Sequence, residues 1–130
     1  MKESNSSKTE AVFDPEDYGK LRRQIYDILD ANKSEDITLI NLRPHTGYDL
    51  YFMIATALSS THLRKLVTDT IQTLKKQGIY PGNMPNETDY TSGWIALDYG
   101  QLVVHIFTQE KRDFYKLEEL WKDSLVETFD

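Results

Sequence analysis

Cysteine is absent from this chain, so proton transfer or metal binding near neutral pH would fall to three histidines, His45, His62 and His105; imidazole is the group that titrates in that range. Their spacing does not match a paired metal motif such as H-E-x-x-H. His45 lies in a Pro-Gly turn, His62 opens a helical pattern, and His105 sits mid-strand between Val104 and Ile106. His105 therefore reads as a buried imidazole bonded to a neighbour, because buried polar groups find partners. Ser59-Ser60 invites a phosphate-site reading, since helix N-termini bind anions. The surrounding Ala57-Leu58-Ser59-Ser60-Thr61 lacks the glycines and lysine of a P-loop, which leaves ordinary capping. Asp49 and Asp98 each stand at a strand end without a second acid two residues away, whereas Mg-dependent phosphoryl transfer calls for a pair. Asp98 suits a turn, where its carboxylate bonds the N–H groups ahead of it, or a contact to a partner's Arg or Lys. No metal, no cofactor and no catalytic set is expected.

The aromatic residues offer recognition instead. Trp94, Tyr99, Tyr115 and Trp121 concentrate in one hairpin and the helix after it, and large aromatics carry both core and interface energy. Core packing accounts for Phe114 and Trp121. Trp94 and Tyr99, close to a turn and a long loop, are open to an exposed binding role, and an exposed apolar patch there would mark an interaction site.

The elements that must position these residues follow from periodicity. Residues 1–13 are polar and Ser-rich and read as a mobile tail. Asp14-Pro15-Glu16-Asp17 starts a helix to about Asn32, with Tyr18, Leu21, Ile25, Ile28 and Leu29 as its apolar stripe. Ile37–Leu42 and Leu50–Thr56 read as antiparallel strands; the second is apolar on both alternations, as expected of a strand covered on both faces. A helix from Ser59 or Ser60 to about Gln77 follows, and the strand-helix-strand order implies a right-handed crossover to a parallel neighbour. Ile79 to Ser92, with Pro81, Gly82 and Pro85, shows no period and reads as an exposed loop. Trp94–Leu97 and Leu102–Phe107 form a hairpin in which Gly100 takes a positive φ. A closing helix spans about Arg112 to Asp123, with Phe114, Leu117, Leu120 and Trp121 as its apolar stripe, and 124–130 is read as a second tail.

One domain of 130 residues is expected, and at that size it buries roughly two thirds of its unfolded surface. No apolar run of about eighteen residues is present, no signal peptide is apparent and there is no cysteine, which together fit a cytoplasmic protein. The net charge of −6 argues against direct nucleic-acid binding, which rests on Lys and Arg displacing counterions. The acidity concentrates in residues 1–36 and 109–130. It suits a basic protein partner, or serves solubility alone.

Gly93-x-x-x-x-Asp98-Tyr99-Gly100 with Trp94, Val103-Val104-His105-Ile106-Phe107, and Arg112-x-Phe114-Tyr115-x-Leu117-Glu118-x-Leu120-Trp121 resemble the signature of the ribosome silencing factor, or Iojap, family. Ser34-Glu35-Asp36-Ile37, Leu42-Arg43, Tyr51-Phe52-x-Ile54-Ala55-Thr56 and Ser59-Ser60 fall in the same order, so the resemblance covers about Tyr18 to Asp123. It implies an α/β fold: a single small domain, residues 14–123, with a mixed four- to five-stranded sheet and helices packed on it, nucleotidyltransferase-like in outline. It further implies a translation repressor without catalysis that binds the large ribosomal subunit through ribosomal protein fourteen and blocks joining of the small subunit. Carried over, the partner-binding residues are Trp94, Asp98, Tyr99, Gln101 and Tyr115. The sequence departs from the pattern at three places: Gln101 where a second turn acid is usual, Leu50 where an Asp precedes Tyr-Phe, and Ala57-Leu58 where Gly-Thr is usual. Gln101 removes one possible salt bridge. The alternative class is a nucleotidyltransferase-like, nucleotide-binding enzyme using Ser59-Ser60 with Asp49 and Asp98. A homodimer through a sheet edge or the closing helix is a third reading.

Overall fold

Two strands that are apolar on both alternations have to sit in the middle of a sheet, and they organise this fold. A computed structural model of the chain describes residues 15–123 and the backbone of 125–127. Strands β2 (Tyr51–Ala57) and β4 (Leu102–Thr108) pair parallel, Tyr51 opposite Leu102 through to Ala57 opposite Thr108. Outside them lie β3 (Trp94–Asp98) against β4 and β1 (Glu35–Asn41) against β2, both antiparallel. β5 (Leu125–Glu127) adds to β1, giving the order β3-β4-β2-β1-β5. This is the expected mixed sheet. The tail expected at 124–130 nonetheless contributes a strand, and the tail expected at 1–13, like the cap at Asp14, lies outside the described residues.

One face is closed by two amphipathic helices, α1 (Pro15–Ala31) and α3 (Ser60–Lys75). Their stripes, Leu21, Ile25 and Leu29 with Leu63, Leu66 and Leu74, bury against Leu39, Met53, Ala55, Ile95, Val104 and Ile106 of the sheet. α3 starts as expected, with the Ser59 hydroxyl accepting from the His62 N–H. His62 closes the junction: its Nδ1 accepts from the Leu58 N–H at 2.8 Å and its Nε2 donates to the Asn32 carbonyl at 2.7 Å, joining the start of α3 to the end of α1. A four-residue helix, α2 (Arg43–Thr46), turns the chain between β1 and β2.

Three local expectations are corrected. Residues 87–92, expected as loop, form α4 (Glu87–Ser92), because Asn86 and Asp89 make a capping box in which each side chain accepts from the other's backbone N–H at 2.9 Å. The single closing helix is two: α5 (Gln109–Tyr115) and α6 (Leu117–Leu120). They part at Lys116, whose φ of 49° is a left-handed conformation that ends a helix. That break rotates the register, so Phe114 and Leu120, expected in an apolar stripe, are exposed, while Leu117 and Trp121 do pack on the sheet.

The outer edge of β3 is covered rather than free. Asp98 O accepts from the Gly82 N–H, the Asn83 amide donates to Ala96 O and accepts from the Asp98 N–H, and Ser92 Oγ bonds both backbone groups of Trp94. With those groups occupied, little of that edge is left for a second chain to pair with. Among the described residues, no helix is long and apolar enough to cross a membrane.

Candidate functional site

Alternation divides the sheet's side chains between two faces. Ile95, Leu97, Val104 and Ile106 point to the helices; Trp94, Ala96 and Asp98 of β3, Val103, His105 and Phe107 of β4, and Phe52, Ile54 and Thr56 of β2 point the other way. This second face has no long helix over it. A small core of Ile40, Leu42, Ile54 and Phe107 is roofed at one side by Leu117 and Trp121, and Trp94, Ala96, Val103 and Phe52 remain partly open.

Aromatic rings run across it in a continuous series. Phe114 meets Tyr115 at 5.1 Å between centroids, Tyr115 meets Trp94 at 4.8 Å, and Trp94 stacks on Phe107 at 5.1 Å. Trp94 also donates from Nε1 to His105 Nδ1 at 3.1 Å. His105 then packs edge-to-face with Phe52 at 4.5 Å, Phe52 with Trp121 at 6.1 Å, and Trp121 with His45 at 5.2 Å. Such edge and tilted contacts complement ring quadrupoles.

Two devices hold the exposed end of this series. Thr108, the last residue of β4, caps α5 by accepting from the Lys111 N–H, so α5 starts where the strand stops. At Gly93 (φ 81°) an added Cβ would lie 2.7 Å from Lys111 Cγ and 3.1 Å from Thr108 Oγ1, and glycine lets the α4–β3 junction close against α5. The second device is Arg112 on α5, 8% exposed. Its guanidinium donates to Asp36 O at 2.7 Å, Thr56 Oγ1 at 2.8 Å and Thr38 Oγ1 at 3.1 Å, and forms a two-point ion pair with Glu118. All five guanidinium N–H groups are engaged, so one side chain fastens α5 to β1, β2 and α6.

The expected site residues separate. Trp94 and Tyr115 are brought together, Trp94 half-buried and Tyr115 exposed. Asp98 is exposed on the same face of β3 as Trp94, and its Oδ1 accepts from the Gly100 N–H at 2.8 Å, the turn role foreseen for it. Tyr99 is the correction: one residue further, it shares the parity of Ile95 and Leu97 and is buried on the helix side at 5% exposure. Burial there pushes the Tyr99 phenol well above its ordinary range, and its hydroxyl has no bonding partner among the described residues. Beside it, a Cβ at Gly100 (φ 90°) would lie 2.5 Å from the Tyr18 hydroxyl, which itself donates to Tyr99 O and accepts from the Gln101 N–H. Gln101 is exposed but faces a notch with Tyr18, Arg22, Asp49 and Tyr51 at the α1 side of the sheet, away from Trp94.

The residues proposed for phosphoryl chemistry are not assembled. Ser59 follows the C-terminal end of β2, whereas Asp98 pairs with Val103 beside Phe52 at the other end, a separation of about 20 Å along the strand. Asp49 is engaged with Arg43. Among the described residues, no group of three His, Asp or Glu side chains is placed to hold a metal ion. His105 is buried and bonded, as expected, and burial pushes its imidazole down to about 4, so it stays neutral near pH 7. The role unforeseen from sequence is the fastening by Arg112, three of whose four partners lie 56 to 76 residues away.

A family model described as Ribosomal silencing factor during starvation matches residues 15–130. The chain is 30% identical over 118 residues to the Ribosomal silencing factor RsfS of Zymomonas mobilis, covering 91% of this chain and 85% of that protein. It is 31% identical over 97 residues to the RsfS of Haemophilus influenzae, covering 75% and 93%. A third relative, Protein Iojap-related, mitochondrial, of Arabidopsis thaliana, is 31% identical over 100 residues; these are 75% of this chain but 54% of that protein, so the chain spans about half its length. A crystal structure from Bacillus halodurans shares the fold with a TM-score of 0.71 at 22% identity, covering 85% of this chain and 99% of that one.

Proposed function

Because the chain belongs to the ribosomal silencing factor family, we propose that it represses translation by binding the large ribosomal subunit through ribosomal protein fourteen and occluding the surface on which the small subunit docks. The observation that carries this reading is the half-open aromatic face, with Trp94 and Tyr115 in contact and Asp98 exposed on the same side of β3. The rings supply contact area that loses water on binding, and Asp98 supplies a carboxylate for a basic side chain of the partner. Gln101 sits at the rim on the α1 side, and Tyr99 supports the hairpin from beneath. The net charge of −6 favours encounter with a basic protein surface and disfavours direct contact with RNA phosphates. The site of action this implies is the translating compartment, the bacterial cytoplasm or its organellar counterpart.

Sedimentation tests it. The protein is expected to co-migrate with large subunits and, when added in excess, to reduce the yield of joined ribosomes. Trp94→Ala and Asp98→Lys should each weaken co-migration at least tenfold, on the order of 1.4 kcal/mol or more. Unchanged binding by both variants would show that this face is not the contact.

A further inference from the structure

We infer that His105 is a positioning residue: through its Nδ1 it fixes the Trp94 indole in the orientation in which the partner meets it. This rests on the proposed binding role of the aromatic face and adds to it how the main anchor is held and what chemistry it offers.

With Nδ1 accepting from the indole at 3.1 Å, the neutral ring must carry its hydrogen on Nε2. That Nε2–H is buried and has no acceptor among the described residues. Leaving a buried donor unpaired is unfavourable, and a phenylalanine would fill the place between Phe52, Phe107 and Trp94 without it. Packing alone therefore disfavours histidine here. What histidine supplies that phenylalanine cannot is the acceptor for Trp94. Its imidazole, held neutral by burial, keeps that lone pair available at physiological pH.

The bond has a consequence for recognition. Trp94 stacks on Phe107 with an interplanar angle of 24° and tilts on Tyr115, with its only polar atom turned toward the sheet. Its accessible surface is thus hydrocarbon and π-cloud. The complementary partner group is a lysine or arginine side chain laying its methylene stem and cation over the rings, not a carbonyl seeking an indole donor. Because the ring is already fixed, binding loses less side-chain freedom.

The test uses the full chain, His105→Phe, His105→Gln and Trp94→Ala, with affinity for purified large subunits, thermal melting and 15N NMR of the indole groups. In the wild-type chain, scalar coupling across the Trp94 Nε1–H to His105 Nδ1 bond is expected. Its absence would overturn the inference without any variant having to fold. H105F should melt no lower than the wild type at pH 7, lose the coupling, and bind at least fivefold more weakly. H105Q, which restores an acceptor, should recover most of that loss. If W94A weakens binding and H105F does not, the positioning role is wrong while the binding face stands. If W94A also leaves binding unchanged, the face reading falls and the inference falls with it.

Discussion

The two faces of the sheet were built by different means from the same strands. On the helix-covered face, aliphatic side chains from α1, α3 and four strands interdigitate at near-zero exposure, and the few polar side-chain atoms there belong to Thr70, bonded back to Leu66 O, and to the pair Tyr18 and Tyr99 at the hairpin end. On the opposite face the core is four residues, roofed by two short helices and continued outward by aromatic rings, a histidine and a buried arginine. The first face is made of groups that gain only by leaving water. The second contains groups that are amphipathic or directional, and such groups make both a fold and a surface. The difference teaches where stability and the proposed recognition part company in this domain.

Variants should separate the two. The largest effect is expected on the covered face: Leu66→Ala, at a fully buried position of α3, should cost about 3 to 4 kcal/mol in urea unfolding and change ribosome binding only through the unfolded fraction. A specific loss of binding in the folded protein would break the comparison. Arg112→Ala, on the other face, should cost about 3 kcal/mol because Glu118, Thr38, Thr56 and the Asp36 carbonyl lose their shared donor. It should also weaken ribosome binding, since α5 carries Tyr115; denaturation and sedimentation on the same preparation check both.

Acid provides a third probe. Burial places the folded-state imidazole of His105 at about 4 against 6.5, so in that window the unfolded chain takes up the proton more readily. Its contribution is fully present above pH 6.5 and is lost as pH falls through 4, on the order of 3 kcal/mol in all. Urea midpoints at pH 7, 5.5 and 4 should fall more steeply in the wild type than in His105→Phe; parallel falls would contradict the burial. Smaller again, Trp94→Ala should cost at least tenfold in affinity yet leave stability within about 2 kcal/mol, because the ring is only half-buried. Least of all, Asn83→Ala should cost under about 1 kcal/mol but free the Ala96 carbonyl and the Asp98 N–H, and light scattering should then detect more self-association than in the wild type.

What could be read from sequence follows the same division. α1, α3, both central strands and the Gly100 turn came from period and turn chemistry, which are local. Trp94 and Asp98 fell on one face because strand alternation is a parity rule, and the same rule, applied one residue further, would have sent Tyr99 to the core. Phe114 and Leu120 were misplaced because nothing in Tyr115-Lys116-Leu117 announces a left-handed residue, and without the break a helical period carries both inward. The Asn86–Asp89 capping box was legible but written in less common residue types than Ser/Thr with Glu. The fastening role of Arg112 was not legible, since it depends on Asp36, Thr38 and Thr56, which only the folded sheet brings to it.

The parallel pairing of β2 with β4 has a kinetic corollary. When Ala57 leaves the ribosome, β2 has β1 on one side and nothing on the other; its second neighbour is not complete until Thr108 has emerged as well, about fifty codons later. At 5–20 residues per second this is an interval of several seconds in which a central, largely buried strand has an unpaired edge. Pauses placed between those codons should therefore lower the soluble yield more than pauses placed after them.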